Sequence, residues 1–152
     1  MPRIPVRVEA PLAGAAVSLA EVPDPVFAAL MVGPGIAVEP TATATTVFSP
    51  LDGVLVKLVS HAFVVVGEGG RGVLVHLGID TVGLDDAGFE LVAEAGQSVR
   101  TGDPVTRWDP HGIAMRGLRA ICPIIALDAK PESLGEYAFG PVRVGDQLFT
   151  WS

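Results

Sequence analysis

Short Val-rich runs such as Val54–Leu58, Ala62–Val66 and Val73–Ile79 alternate with glycine- and proline-bearing turns along the chain. With 18 Gly and 13 Pro in 152 residues and few aromatics, this punctuation points to an all-β domain. Further strands are expected at Val6–Glu9, Ala15–Leu19, Ile36–Glu39, Val105–Trp108, Ile121–Leu127 and Gln147–Trp151. Short helical turns are expected at Pro25–Met31, where "VFAALM" follows "PDP", around Ala87–Glu94, and within "KPESLGEYAFG".

Two internal echoes sharpen this reading. "PLAGAAVSLA" (Pro11–Ala20) resembles "PLDGVLVKLV" (Pro50–Val59), and "GQSVRTGDPV" (Gly96–Val105) resembles "GPVRVGDQLF" (Gly140–Phe149). They are too few and too unevenly spaced for a solenoid. They fit paired strand–turn units packed face to face, each Gly-Asp making a tight turn. The expected architecture is an antiparallel β-sandwich, or barrel-like sandwich, with pseudo-repeated units and a few helical turns.

The length fits one domain over residues 1–152, with residues 1–5 as a flexible tail. Apolar residues at 49% and charged residues at 18% exclude a disordered chain. A formal charge of −7 argues against nucleic acid and anionic membranes, which need basic patches. It suits a basic protein partner, although for the charge by itself solubility alone is the better explanation. No apolar run approaches membrane-spanning length, and "MPRIPVRV" has no apolar leader core, so neither direct membrane insertion nor a membrane-seeking tail is expected. The single Cys122, in the strand-like "AICPIIAL", reads as a buried structural thiol in a cytoplasmic protein.

Two of the three histidines bracket "HAFVVVGEGGRGVLVH", residues 61–76. The central "GEGGRG" between β-branched runs reads as a hairpin turn. With a two-residue loop at Glu68-Gly69 or Gly69-Gly70, His61 and His76 fall opposite each other or one diagonal step apart. Directly opposed Cβ atoms lie about 4.5–5.5 Å apart. A three-residue loop or a bulge would reverse one face. Alternation places Leu74, His76, Gly78 and Asp80 on one face, and Val73, Val75, Leu77 and Ile79 on the other. On the preceding strand His61, Phe63 and Val65 oppose Ala62, Val64 and Val66. The all-apolar faces are assigned to the core, which leaves a histidine patch bordered by Phe63, Leu74, a close-approach glycine and a carboxylate.

Three chemistries compete for such a pair. It can be inert. It can bind zinc, but zinc normally takes three or four protein ligands and only His111 or Asp80 could add one, so zinc at His61/His76 is not predicted. It can carry a phosphoryl group, since a neutral imidazole with an ordinary pKa of about 6.5 is a good nucleophile near pH 7. A second imidazole can then donate a hydrogen bond to the phosphoryl oxygens. No Walker motif is present, so the chain would relay phosphate activated elsewhere.

"APLAG" (10–14), "VPDPVFAALMVGPGIAVEPT" (22–41), "SHAF" (60–63), "VLVHLGIDTV" (73–82) and "GFELVAEAGQSVRTGD" (88–103) together resemble the glucose-type enzyme IIA (EIIA) domain of the bacterial phosphoenolpyruvate-dependent sugar phosphotransferase system. "VHLGIDTV" is close to that family's active-site signature, and the resemblance runs in order from about Val6 to the C-terminus. It implies a β-sandwich phosphotransferase component, without a cofactor, that accepts phosphate from the carrier HPr and passes it to a cysteine of a sugar-specific IIB domain. His76 would be phosphorylated through Nε2, and His61 would hydrogen-bond the phosphoryl group. Asp24 and Asp80 would meet an arginine of HPr, lending a positive charge that this chain does not itself place near the site. Val26, Phe27, Val32, Phe63 and Leu74 would form the apolar docking ring, with Gly78 beside it. Where many members carry threonine two residues before the first histidine, this chain has Val59, and Ser60 is the candidate hydroxyl. Aromatics that flank the nucleophile in the family are here Leu74 and Leu77, so a smaller ring is expected.

The expected function is a cytoplasmic, monomeric phosphocarrier. The alternative is a regulatory docking protein whose binding to metabolic enzymes or transporters is switched by histidine phosphorylation.

Overall fold

The computed structural model describes residues 4–41, 45–81 and 88–152. The described residues form strands β1 (Val6–Glu9), β2 (Gly14–Ser18), β3 (Gly35–Pro40), β4 (Thr45–Phe48), β5 (Gly53–Val59), β6 (Ala62–Val66) and β7 (Gly72–His76). The second run comprises β8 (Phe89–Leu91), β9 (Ser98–Val99), β10 (Pro104–Trp108), β11 (Cys122–Ala126), β12 (Leu134–Gly135), β13 (Gly140–Val142) and β14 (Gln147–Trp151). Two short helices, α1 (Pro25–Ala28) and α2 (Pro110–Met115), interrupt them. All pairings are antiparallel. An eight-stranded sheet runs β13-β2-β3-β11-β7-β6-β5-β9, and two three-stranded sheets run β1-β14-β12 and β4-β10-β8. The architecture is sandwich-like, with unclosed sheets.

This order is a palindrome, and the sequence echoes explain it. Reading outward from the β11–β7 pair, β11, β3, β2 and β13 answer to β7, β6, β5 and β9. The sheet β1-β14-β12 answers to β4-β10-β8 in the same way. The two Pro-Leu-x-Gly segments cross-link the halves: Phe48 N–H donates to Pro11 O and Glu9 N–H donates to Pro50 O, each at 2.9 Å. The two Gly-Asp turns match in equal detail. Arg100 N–H donates to Asp103 Oδ2 and Arg143 N–H to Asp146 Oδ2, both at 2.8 Å. Gly102 N–H then donates to Ser49 O, and Gly145 N–H to Ala10 O. Gly14 and Gly53 open β2 and β5 against a neighbouring strand's backbone. A Cβ at either would collide with a carbonyl oxygen, that of Glu39 or of Val66.

The main core fills the space between the large sheet and the two small ones. Phe63, Val65, Val73 and Val75 from the large sheet, with Leu77 just after β7, meet Val47, Val105, Trp108, Phe149 and Trp151 from the small ones there, all at most 5% exposed. A second, smaller cluster lies apart from it. It joins Ala37 and Ile125 of the large sheet to Leu19, Val22 and Phe27, which come from the segment 19–34 joining β2 to β3. Cys122 is buried in the main core and donates weakly to Ala120 O, and burial pushes its thiol pKa far up.

The expected strands all form, three of them with the expected bounds (β1, β6 and β14). The expected helical turn around Ala87–Glu94 is corrected. Ala87 lies outside the described residues, and Phe89–Leu91 is strand β8, because its backbone pairs with Thr106–Trp108 of β10. Of the expected tail, residues 1–3 likewise lie outside. The helical turns near Pro25 and Pro131 form as expected. Strands β4, β8, β9, β12 and β13 carried no alternating run long enough to announce them.

Candidate functional site

The hairpin between the histidines has its centre at Gly69. Glu68–Gly70 form a tight turn kinked at Gly69, which lies in the left-handed region, φ 72°. This three-residue loop pairs Ala62 with His76, Phe63 with Val75 and Val64 with Leu74. His76 therefore shares a face with Ala62, Val64 and Leu74, and the face containing Phe63 and Val65 turns to the core. The expected grouping of Phe63 with the histidines is corrected. Phe63 is fully buried, so it offers no surface to a docking partner, and Val64 and Val66 lie on the outer face rather than in the core.

His61 reaches His76 by a different route. It closes the two-residue turn Ser60-His61 between β5 and β6, where Val59 pairs with Ala62. A turn residue is not bound by strand alternation, and its ring lies 5.2 Å from that of His76, edge to face at 71°. Leu77 N–H donates to His61 O at 2.7 Å, fixing the turn against the residue that follows the second histidine.

The segment after β7 orients His76. Its Nδ1 lies 2.6 Å from Gly78 O. A carbonyl only accepts, so Nδ1 carries the proton and Nε2 keeps its lone pair. Gly78 is required there: its φ is +80°, and a Cβ would stand 2.7 Å from Thr81 Cγ2 and 2.9 Å from Arg119 O. The buried Thr81 hydroxyl donates to Leu77 O at 2.7 Å, and Ile79 N–H donates to Arg119 O at 2.9 Å. The loop is thus tied at three successive residues. On the other side the Phe27 ring stands 5.2 Å from the His76 ring.

Burial is the largest influence on both imidazoles and lowers both pKa values below 6.5. For His76 the hydrogen bond to Gly78 O opposes this, His61 reinforces it, and the charges of Asp24 and Asp80 oppose it weakly. For His61 the Lys57 ammonium adds to the lowering. Both rings are therefore neutral at pH 7, the state in which Nε2 can act as a nucleophile.

The remaining expected site residues fall around this pair. Asp24 caps α1, its Oδ1 accepting from Val26 N–H at 2.9 Å, and Asp80 is exposed with φ +61°. Both carboxylates lie near enough to act electrostatically on His76. Val26 is 43% exposed and Phe27 8%; Val32 and Leu74 are half-buried against the smaller cluster. Gly78 is buried, so it holds the histidine rather than presenting a surface. Leu77 is fully buried in the main core and is no part of an outer ring. Ser60 is half-buried beside His61 in the turn.

An open depression of about 500 Å³ has Lys57, Val59, His61, Leu74, His76 and Leu127 among its walls. Lys57 corrects the expectation that the chain places no positive charge near the site. Sequence alternation hid it, because a bulge at Val56 shifts the β5 register between Leu55 and Lys57. Thr81 was also missed; its signal was a threonine four residues after Leu77, a spacing suited to bonding back to that carbonyl. His111 lies on α2 in a separate depression with Glu39 and Pro40. Among the described residues no group of three or more His, Cys, Asp or Glu is placed to hold a metal.

Comparison with known proteins adds an independent line. The profile of the family described as phosphoenolpyruvate-dependent sugar phosphotransferase system, EIIA 1, matches residues 6–131. Over 126 residues the chain is 44% identical to the PTS system glucose-specific EIIBCA component of Corynebacterium glutamicum, a match spanning 82% of this chain but only 18% of that protein. It is 40% identical over 118 residues to the PTS system glucose-specific EIIA component of Bacillus cereus, covering 76% of this chain and 70% of the relative. The solved glucose permease IIA of Mycoplasma capricolum superposes with a TM-score of 0.90 at 32% identity, over 97% of this chain and 96% of that one.

Proposed function

The chain belongs to the EIIA 1 family of the phosphoenolpyruvate-dependent sugar phosphotransferase system, and from that premise we propose that it is a cytoplasmic phosphocarrier working through His76. The donor is phospho-HPr and the acceptor a cysteine of a sugar-specific IIB domain. The observation that carries this reading is the Nδ1–H bond to Gly78 O at 2.6 Å, which fixes the tautomer and leaves Nε2 as the nucleophile beside an open depression.

In the first half-reaction the P–N bond of the donor breaks as a P–Nε2 bond forms on His76. In the second, P–Nε2 breaks as a P–S bond forms on the acceptor. His61 donates a hydrogen bond to the phosphoryl oxygens as they leave, and the Ser60 hydroxyl orients His61. Asp24 and Asp80 meet a cationic side chain of the donor, a docking task suited to exposed or half-buried carboxylates. Val26, Phe27, Val32 and Leu74 form the apolar contact surface. No metal or other cofactor takes part. Among the described residues no helix is long and apolar enough to cross a membrane.

The test is incubation with phosphoenolpyruvate, enzyme I and HPr, followed by intact mass under non-acidic conditions and peptide mapping. Wild type should gain one phosphoryl group on His76 and lose it to a IIB domain. His76→Gln should gain none, and His61→Gln should accept phosphate but pass it on poorly. A label mapping elsewhere, or wild-type transfer by His61→Gln, would overturn the assignment.

A further inference from the structure

The bulge in β5 breaks the symmetry of the fold at the site. In the answering strand, β2 pairs with β3 from Gly14↔Pro40 to Ser18↔Ile36 without a register shift. In β5 the ladder runs Leu55↔Val65 and then Lys57↔Val64, so Val56 is the extra residue. Without it, alternation from the core residue Leu55 would turn Lys57 inward. With it, Val56 and Lys57 are both exposed, and Lys57 joins Val59, Ala62, Val64, Leu74 and His76 on one face. Bulges beside functional sites commonly re-aim a side chain in this way.

The charges around the site show what that aim serves. A phosphoryl group brings close to two negative charges. Asp24 and Asp80 stand near His76 and repel it, and both imidazoles are neutral at pH 7. Among the residues lining the depression, Lys57 alone carries a permanent positive charge. Among the described residues no carboxylate pairs with it, whereas Arg7 pairs with Glu9 and Arg119 with Glu39. Its ammonium is a mobile point charge on a four-carbon stem, able to follow a phosphoryl group that moves from donor to His76 to acceptor.

We propose that Lys57, turned onto the histidine face by the β5 bulge at Val56, is a further catalytic residue that contacts the phosphoryl oxygens on His76 and stabilises their charge during transfer. The proposal rests on the phosphoryl-transfer reading of His76, but not on the identity of either partner. The Nε2 lone pair forms the new P–N bond as the donor's own P–N bond breaks. The leaving nitrogen keeps that electron pair and is protonated from solvent. Lys57 keeps its protons and supplies charge alone.

The experiment compares wild type, Lys57→Met and Lys57→Arg with two donors, the small molecule phosphoramidate and phospho-HPr, by time-resolved intact mass with mapping to His76. Lys57→Met keeps the stem and removes the charge. It should slow labelling by both donors about tenfold, with phospho-HPr at saturating concentration. That is less than the ~10²–10³ loss for a fixed oxyanion donor, because the ammonium is solvated. Lys57→Arg should recover most of the rate. Wild-type rates for Lys57→Met with both donors would overturn the proposal. So would a defect seen only with phospho-HPr and only in its half-saturating concentration, which would make Lys57 a docking residue. If wild type took phosphate from phosphoramidate but not from phospho-HPr, the donor in the proposed relay would be wrong, while the contrast among the variants would still decide the role of Lys57.

Discussion

The molecule contains one design twice, and its two halves differ where the chemistry lies. One half is the continuous run β4–β10; the other is assembled from both ends of the chain, β1–β3 with β11–β14. In the discontinuous half, β2 and β3 are joined by residues 19–34, whose α1 and 3₁₀ turn cover the outer face of the sheet. In the continuous half the answering strands β5 and β6 are joined by two residues, Ser60 and His61, and Val54, Val56 and Val59 remain 37–53% exposed. Pairing outward from Ile124↔Val75, the position answering to His76 is Ile125, fully buried in the smaller cluster. The same scaffold position thus holds a core isoleucine beneath the covering segment and a histidine at that segment's edge, beside Phe27. Repetition supplies the frame, and the departures (a shortened turn, a bulge and an uncovered face) supply the site.

The strongest test of that comparison is to substitute Gly14 and Gly53 with alanine in turn. Each Cβ would be driven into a backbone carbonyl that cannot move aside cheaply, so each variant should lose about 3–4 kcal/mol of stability in urea unfolding. A tolerated change at one site and not the other would break the equivalence of the halves.

Smaller effects should follow at the matched turns. Asp103→Ala and Asp146→Ala each remove a carboxylate that accepts a backbone N–H at 2.8 Å, and each should cost about 1–2 kcal/mol. Saturated phosphate acceptance should be unchanged in both, since neither turn belongs to the histidine site. A loss of acceptance rate in either would extend the site beyond the departures named above.

The smallest effect concerns pH and separates the halves by function. Burial lowers the pKa of both His61 and His76 below the ordinary 6.5, so below that pH the unfolded chain binds more protons than the folded one. Stability from this source is fully present above pH 6.5 and is lost as pH falls through the lowered values. Urea midpoints between pH 7.5 and 5.5 should therefore fall, and the fall should flatten in the double variant His61→Gln/His76→Gln. An unchanged slope would show that neither imidazole is held neutral by its surroundings.

Much of this was legible in the chain. Period-2 runs bounded by glycine and proline located the long strands because alternation and turn chemistry are local properties. The two echoes exposed the pseudo-symmetry, and "VHLGIDTV" marked His76. The short strands β8, β9, β12 and β13 were not legible, since two or three residues carry no period and are strands only through their partners. Phe63 was misplaced and Lys57 missed for a related reason: a single extra residue, Gly69 in the loop or Val56 in the bulge, inverts which face a side chain occupies. Thr81 escaped because its role is a hydrogen bond to one carbonyl in a folded loop.

The sequence alone determined the all-β class, the repeated units, the histidine pair and the thiol's burial, because composition, period and spacing act over a few residues. Only the tertiary structure decided the register, and with it the face on which each side chain lies. It also brought Asp24 and Phe27 to the His76 ring, and Lys57 and His61 into one depression with it. Those contacts join segments far apart in the chain, and their geometry depends on single-residue shifts that no local pattern encodes.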